Sequence, residues 1–248
     1  MRVFGKTDVG LVRKVNQDFI YYSQVPVGAF PNLFIVADGM GGHNAGDFAS
    51  RYAVQCFLDY IQTSKKDALI RMVDEGIKYA NQKIIEKAQE DPALKGMGTT
   101  MVVAYIEDDQ LFVANIGDSR LYLIEKGGIR QVTKDHSFVE EMVSIGQMER
   151  ESKEYKQQKN IITRAVGIEK KVEADFFEVG LKQGDYLLLC SDGLSNMVDN
   201  SSLFRLVLFP GTLHMKAKSL VALANQNGGK DNIAVVLVEP EVSEVRRA

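Results

Sequence analysis

Three runs rich in β-branched and aromatic residues, Thr100 to Ile106, Leu111 to Ile116 and Leu121 to Glu125, follow one another with only four residues between each. A parallel crossover needs a connection of about a dozen residues or more, so these runs are expected to pair as antiparallel hairpins. Runs of the same kind at Asp18 to Gln24, Leu33 to Ala37, Ala174 to Val179, Tyr186 to Cys190 and Ile233 to Val238 add further strands. Two stretches instead carry helical spacing: Phe48, Tyr52, Cys56 with Ala49, Ala53, Phe57, Tyr60, and then Leu69, Val73, Ile77, Ala80, Ile84, Ala88. Being consecutive, they predict an antiparallel helix pair. A third helix is expected at Ser137, where Ser137 and Glu140 have the spacing of a capping box, and two more at Ser201 to Leu208 and His214 to Asn225. Hairpins beside helix pairs define the α+β class.

Composition narrows the partners. The chain has 248 residues, 45% of them apolar, and a net charge of -3. That length buries a full core without disulfides and reads as one domain spanning 1–248. No global basic field draws it to nucleic acid, and no run reaches the ~18 apolar residues of a membrane helix. The two cysteines, Cys56 and Cys190, lack paired spacing, which with the absence of a secretory pattern at the start predicts a reducing, cytoplasmic setting. From Glu149 to Lys159 seven of eleven residues are charged, so this stretch is expected to be a solvated insertion.

The chemistry lies in four aspartates set against apolar runs: Asp38 after Leu33 to Ala37, Asp118 after Phe112 to Gly117, Asp192 after Tyr186 to Ser191, and Asp231 before Ile233 to Val236. A single Asp-Gly at a strand end is most often a turn. Four of them are expected to meet at one rim of an antiparallel sheet, where the end of one strand lies beside the start of its neighbour. Like charges gathered there must share protons or be neutralised by cations. Carboxylate oxygens with the Gly39 carbonyl, and no Cys or His pair, suit Mg²⁺ or Mn²⁺ and disfavour Zn²⁺. Two such ions support phosphoester hydrolysis. A covalent cysteine route is disfavoured, because Cys190 has Asn196, not an arginine, six positions on.

Six ordered motifs, Val15-Asn16-Gln17-Asp18, Val36-Ala37-Asp38-Gly39-Met40-Gly41-Gly42-His43, Gly96-Met97-Gly98-Thr99-Thr100, Asn115-Ile116-Gly117-Asp118-Ser119-Arg120, Ser191-Asp192-Gly193 and Gly228-Gly229-Lys230-Asp231-Asn232, resemble the metal-dependent PPM protein phosphatases, above all their bacterial serine/threonine branch. The resemblance runs from about Thr7 to Val238. It implies two packed antiparallel sheets flanked by helix pairs, a centre of two Mg²⁺ or Mn²⁺ ions with room for a third, and hydrolysis of phosphoserine and phosphothreonine in proteins by a hydroxide bridging the metals. Asp38 would bridge the ions, with the Gly39 carbonyl on one and Asp192 and Asp231 on the other. Asp18 would act on metal waters, Asp118 with Asp192 would hold the third ion, and Arg13 would grip phosphate. Read alone, Arg13 is a surface ion-pair residue. A flap at about 137–167 would border the cleft and bring Arg164 toward substrate.

The family pattern leaves other positions to their local reading. Thr99 and Thr100 read as the start of a strand, outside the active site. Met40 stands where many eukaryotic members have a histidine assigned as general acid after Asp-Gly, so that role does not carry over directly to His43, which has two readings, a general acid and a helix-start residue beside Asn44 and Asp47. His136 and His214 read as structural. The expected partners are phosphorylated proteins, including a cognate serine/threonine kinase, and a monomer is the simplest state. Two rivals stand beside this reading: a phosphatase-like module that binds phosphoproteins without cleaving them, and a small-molecule phosphomonoesterase.

Overall fold

The computed structural model describes residues 1–42, 45–65, 67–150 and 152–242. Strands β1 (Arg2–Asp8), β2 (Asp18–Ser23) and β3 (Leu33–Met40) lead into helices α1 (Ala45–Thr63) and α2 (Leu69–Glu90). Strands β4 (Gly98–Thr99), β5 (Met101–Glu107), β6 (Gln110–Ile116), β7 (Arg120–Glu125) and β8 (Gly128–Gln131) follow. Short helices α3 (Phe138–Ser144) and α4 (Lys153–Gln158) precede β9 (Asp175–Gly180), β10 (Tyr186–Cys190), α5 (Asp192–Ser195), α6 (Asn200–Leu208), α7 (Leu213–Gln226) and β11 (Ile233–Glu239).

Every strand pair is antiparallel. One sheet has the order β1-β11-β10-β7-β8; the other has β2-β3-β5-β6-β9, with β4 joined to the end of β3. The apolar runs are continuous because both faces of the inner strands are covered. Along β3, Phe34 and Val36 face the opposite sheet with Val102, Leu121, Leu189 and Val236. Leu33, Ile35 and Ala37, one residue out of phase, pack with Phe57, Ile61, Ile77 and Ile84 of α1 and α2. On β11, Ala234 and Val236 point to the same inner core, whereas Ile233, Val235 and Leu237 meet Leu203, Leu220 and Val221 of α6 and α7. The layers are therefore helix, sheet, sheet, helix, the α+β architecture expected.

Three strands escaped the sequence reading, namely β1, β4 and β8. The β1 strand has a central glycine and only half-buried side chains, which blurs its alternation. Asp38 does not follow β3 but lies within it, in register with Asp18 on β2. The capping box at Ser137 is half made. Its Oγ accepts the Glu140 amide at 3.4 Å, but the Glu140 carboxylate turns to Arg150 at 2.6 Å and Tyr155 at 2.7 Å. The charged stretch contains α4, capped by the Ser152 hydroxyl on the Tyr155 amide. Among the described residues no helix is long and apolar enough to cross a membrane, and both cysteines are buried free thiols.

Candidate active site

The sandwich brings the acidic residues to one edge. Asp18 and Asp38 sit opposite each other on β2 and β3. Asp192 opens α5 directly after β10, and Asp231 precedes β11, the neighbour of β10. Asp118 lies in the turn between β6 and β7. The approach of Asp192 to Asp231 depends on Gly193: a methyl there would fall 1.9 Å from the Asn232 carbonyl oxygen.

Burial and mutual repulsion dominate the electrostatics. Asp38 is held well above the ordinary carboxylate range, first by burial and then by the charges of Asp18, Asp192, Asp118 and Asp231. Asp18 is pushed up to about 8 by burial, a rise that the Ser191 hydroxyl opposes and that Asp192 and Asp231 reinforce. Asp118 is likewise pushed up to about 8 by burial and then by Asp192. Asp192 rises to about 6, burial leading and Asp231 next, while Lys159, Arg120 and Arg13 pull it down. Each of these shifts says that added positive charge would stabilise the cluster.

Hydrogen bonds orient the acids. The Ser191 hydroxyl donates to Asp18 Oδ2 at 2.6 Å and accepts the Ala234 amide at 2.9 Å, joining one sheet to the other. Asn196 donates to Asp192 Oδ2 at 2.8 Å and in turn accepts Lys159 Nζ at 2.8 Å. Arg13 Nη2 lies 2.8 Å from Asp231 Oδ2, so the half-exposed arginine stands beside one of the acids. Its loop is pinned by Asn232, whose amide donates to the carbonyls of Val9 and Val15 and whose oxygen accepts the Gln17 amide. A cleft of about 840 Å³ runs from Asp118 and Asp192 between the 137–167 segment and the start of α6.

Sequence reasoning placed Thr99 and Thr100 outside the site, yet both grip Asp38. The Asp38 amide donates to Thr100 Oγ1 at 2.9 Å, and its carbonyl accepts Thr99 Oγ1 and the Thr100 amide, each at 2.9 Å. Thr100 Oγ1 also lies 2.7 Å from Ser119 Oγ, beside Asp118. Ser191 and Asn232 were passed over as well, although their adjacency to Asp192 and Asp231 was the signal. Arg164, partly exposed, binds Asp175 at 2.8 Å and the Glu173 carbonyl at 2.9 Å. His43 lies outside the described residues.

The donor set fits hard divalent cations. All candidate ligands are oxygens, and Asp18 Oδ1 and Asp118 Oδ1 are buried with no protein donor. Among the described residues no three of these side chains stand within shared ligating reach.

Comparison with known proteins agrees with this fold. The sequence matches the protein phosphatase 2C family over residues 12–226. It is 39% identical over 251 aligned residues to the serine/threonine phosphatase stp of Listeria monocytogenes, covering 98% of this chain and 97% of that one. The S. agalactiae serine/threonine phosphatase superposes with a TM-score of 0.89 at 39% identity, covering 97% and 99% of the two chains. The catalytic domain of the serine threonine protein phosphatase PstP, solved with two manganese ions, gives 0.81 at 33% identity over 95% and 96%. The fold is that of a metal-dependent protein phosphatase class, and this chain belongs to the protein phosphatase 2C family. It is an enzyme, a protein phosphatase.

Proposed function

We propose that this phosphatase removes phosphate from phosphoserine and phosphothreonine in proteins, the products of a serine/threonine kinase, by in-line attack of water on phosphorus. Asp38, the Gly39 carbonyl, Asp192 and Asp231 would hold two Mg²⁺ or Mn²⁺ ions, and Asp118 with Asp192 a third. Such ions, when bound, supply a water acidified toward hydroxide and offset charge on the phosphoryl oxygens. The observation that carries this reading is the gathering of five aspartates at one edge of the sandwich, four of which, Asp18, Asp38, Asp118 and Asp192, are pushed above the carboxylate range by burial and by neighbouring carboxylates.

The remaining roles follow from contacts within the chain. Ser191 occupies Asp18 Oδ2, which leaves Oδ1 as the oxygen that takes a proton from water. Thr99 and Thr100 fix the backbone of Asp38, so its carboxylate does not drift as charge moves past it. Arg13 offers a planar fork that grips two phosphate oxygens from a half-exposed position beside Asp231. The free buried thiols Cys56 and Cys190 support a reducing compartment.

Release of inorganic phosphate from a phosphothreonine peptide in Mn²⁺, and its loss in chelator, tests the proposal. Asp38→Asn, Asp192→Asn and Asp231→Asn are each expected to end turnover with the fold retained; normal rates in any of them would remove that residue from the site. Arg13→Lys is expected to cut kcat/KM by about tenfold, because a point charge replaces a bidentate fork. A higher kcat/KM on a small metabolite phosphate than on the peptide would favour the phosphomonoesterase reading instead.

A further inference from the structure

His136 is buried and stands between three separate segments of the chain. Its amide donates to the Gly117 carbonyl at 2.9 Å, and its ring Nδ1 accepts the Gly117 amide at 3.1 Å. One residue therefore satisfies both backbone groups of the glycine that precedes Asp118. Gly117 has φ +99°, and a methyl there would lie 2.6 Å from Thr100 Cγ2, so the turn admits no side chain of its own to steady it. The His136 carbonyl accepts the Thr163 amide at 2.9 Å, which brings in the returning chain of the 137–167 segment. On the far side of the ring, Nε2 lies 3.2 Å from Asp175 Oδ2, and Arg164, 3.2 Å from the same nitrogen, binds Asp175 Oδ1 at 2.8 Å.

We infer that His136 is a positioning residue: it fixes the Gly117 turn that aims Asp118 and ties that turn, through Asp175 and Arg164, to the return of the flap. The ring tautomer follows from the contacts. A backbone amide is a fixed donor, so Nδ1 must keep its lone pair; the proton sits on Nε2 and goes to Asp175. Arg164 then shares Asp175 with the ring rather than bonding the ring itself. Burial holds the imidazole below its usual range, which keeps the lone pair available. The link to cation binding rests on the proposed role of Asp118; the positioning of Gly117 does not.

Nitrogen NMR of the full chain reads the tautomer directly: proton on Nε2 is expected, and proton on Nδ1 would overturn the inference. Two substitutions separate the ring nitrogens. His136→Asn keeps an acceptor where Nδ1 stands, whereas His136→Gln reaches only toward Asp175. In His136→Gln the Gly117 amide is expected to exchange about tenfold faster, the equivalent of one lost hydrogen bond. The Mn²⁺ concentration for half-maximal heat in titration calorimetry is expected to rise by a similar factor, with KM at saturating Mn²⁺ unchanged. His136→Asn is expected to restore both. Equal behaviour of the two variants, or unchanged Gly117 exchange, would overturn the positioning role. If His136→Gln fails to fold, Asp175→Asn, at a partly exposed position, is expected to loosen the ring and speed the same exchange while the proton stays on Nε2, because the Gly117 amide still requires the Nδ1 lone pair; unchanged exchange, or a proton moved to Nδ1, would count against the positioning role. A Mn²⁺ requirement that neither His136→Gln nor Asp118→Asn moves, with Gly117 exchange raised, would strike the cation role of Asp118 alone.

Discussion

Asp38 concentrates the conflict on which this site is built. Its carboxyl lies inside a strand among four other acids, and burial and their charges hold it well above the usual carboxylate range. The chain thus keeps, at a position where an amide would fit, a group that opposes folding in the absence of cations. Each unit by which a folded-state pKa exceeds the unfolded value represents about 1.4 kcal/mol against the ionised form. Asp38→Asn is therefore expected to raise the thermal midpoint in chelator at pH 8 by about 3 °C or more, since about 1 kcal/mol moves a chain of this size by about 2–4 °C. The same substitution should end phosphate release. Scanning calorimetry checks the first half, and an unchanged or lower midpoint would mean that the carboxylates are not in electrostatic conflict. Ser191→Ala should act in the opposite sense. It strips a donor from Asp18 and an acceptor from the Ala234 amide, both buried, and each orphaned group costs about 1–3 kcal/mol. A fall in midpoint of several degrees is expected, and wild-type stability would show that these two bonds are not made.

At the scale of elements, legibility in the sequence followed burial. Strands β3, β5, β6, β10 and β11 are covered on both faces and stand out as unbroken apolar runs, and α1 and α2 show their buried stripe plainly. Strand β1 was invisible because it lies at the sheet edge with Gly5 at its centre. That glycine is a packing device: a methyl there would fall 2.5 Å from Tyr22 Cε1 and 2.7 Å from Ile20 Cδ1 of the facing sheet. The tips of those flexible side chains can yield in part, so Gly5→Val is expected to cost about 1–3 kcal/mol, lowering the urea midpoint without changing the slope of the transition. Wild-type stability would show that β1 does not lie over β2 as described. The acids themselves were legible from their motifs, because an aspartate beside an apolar run has few other reasons to recur in one chain. The hydroxyls of Thr99, Thr100 and Ser191 were not, since a threonine that starts a strand and one that clamps a neighbour's backbone read identically along the sequence; only the register of β3 against β4 distinguishes them.

For the whole molecule, the acidic edge sets how stability responds to pH and to cations together. In the unfolded chain each of these aspartates ionises near its ordinary value. In the folded chain Asp192 retains its proton up to about 6, and Asp18 and Asp118 up to about 8. Between those limits the folded state binds more protons than the unfolded one, so stability falls as pH rises. His136 works the other way, because its folded pKa is depressed by burial and its contribution is lost as pH falls below the unfolded value of about 6.5. Above pH 6.5 the carboxylates alone set the slope. In chelator the thermal midpoint is accordingly expected to drop between pH 6.5 and 8. Divalent cations bind the ionised carboxylates in competition with protons, so Mn²⁺ should stabilise more at pH 8 than at pH 6. At a hundredfold excess over the dissociation constant the gain is about 2.7 kcal/mol, or about 5–10 °C for a chain of this length. Differential scanning fluorimetry at the two pH values, with Mn²⁺ and with chelator, reads all four states. A flat profile in chelator, or an equal Mn²⁺ gain at both pH values, would mean that protons and cations do not contend for the same oxygens, and the acids would then be surface charges that happen to lie near one another.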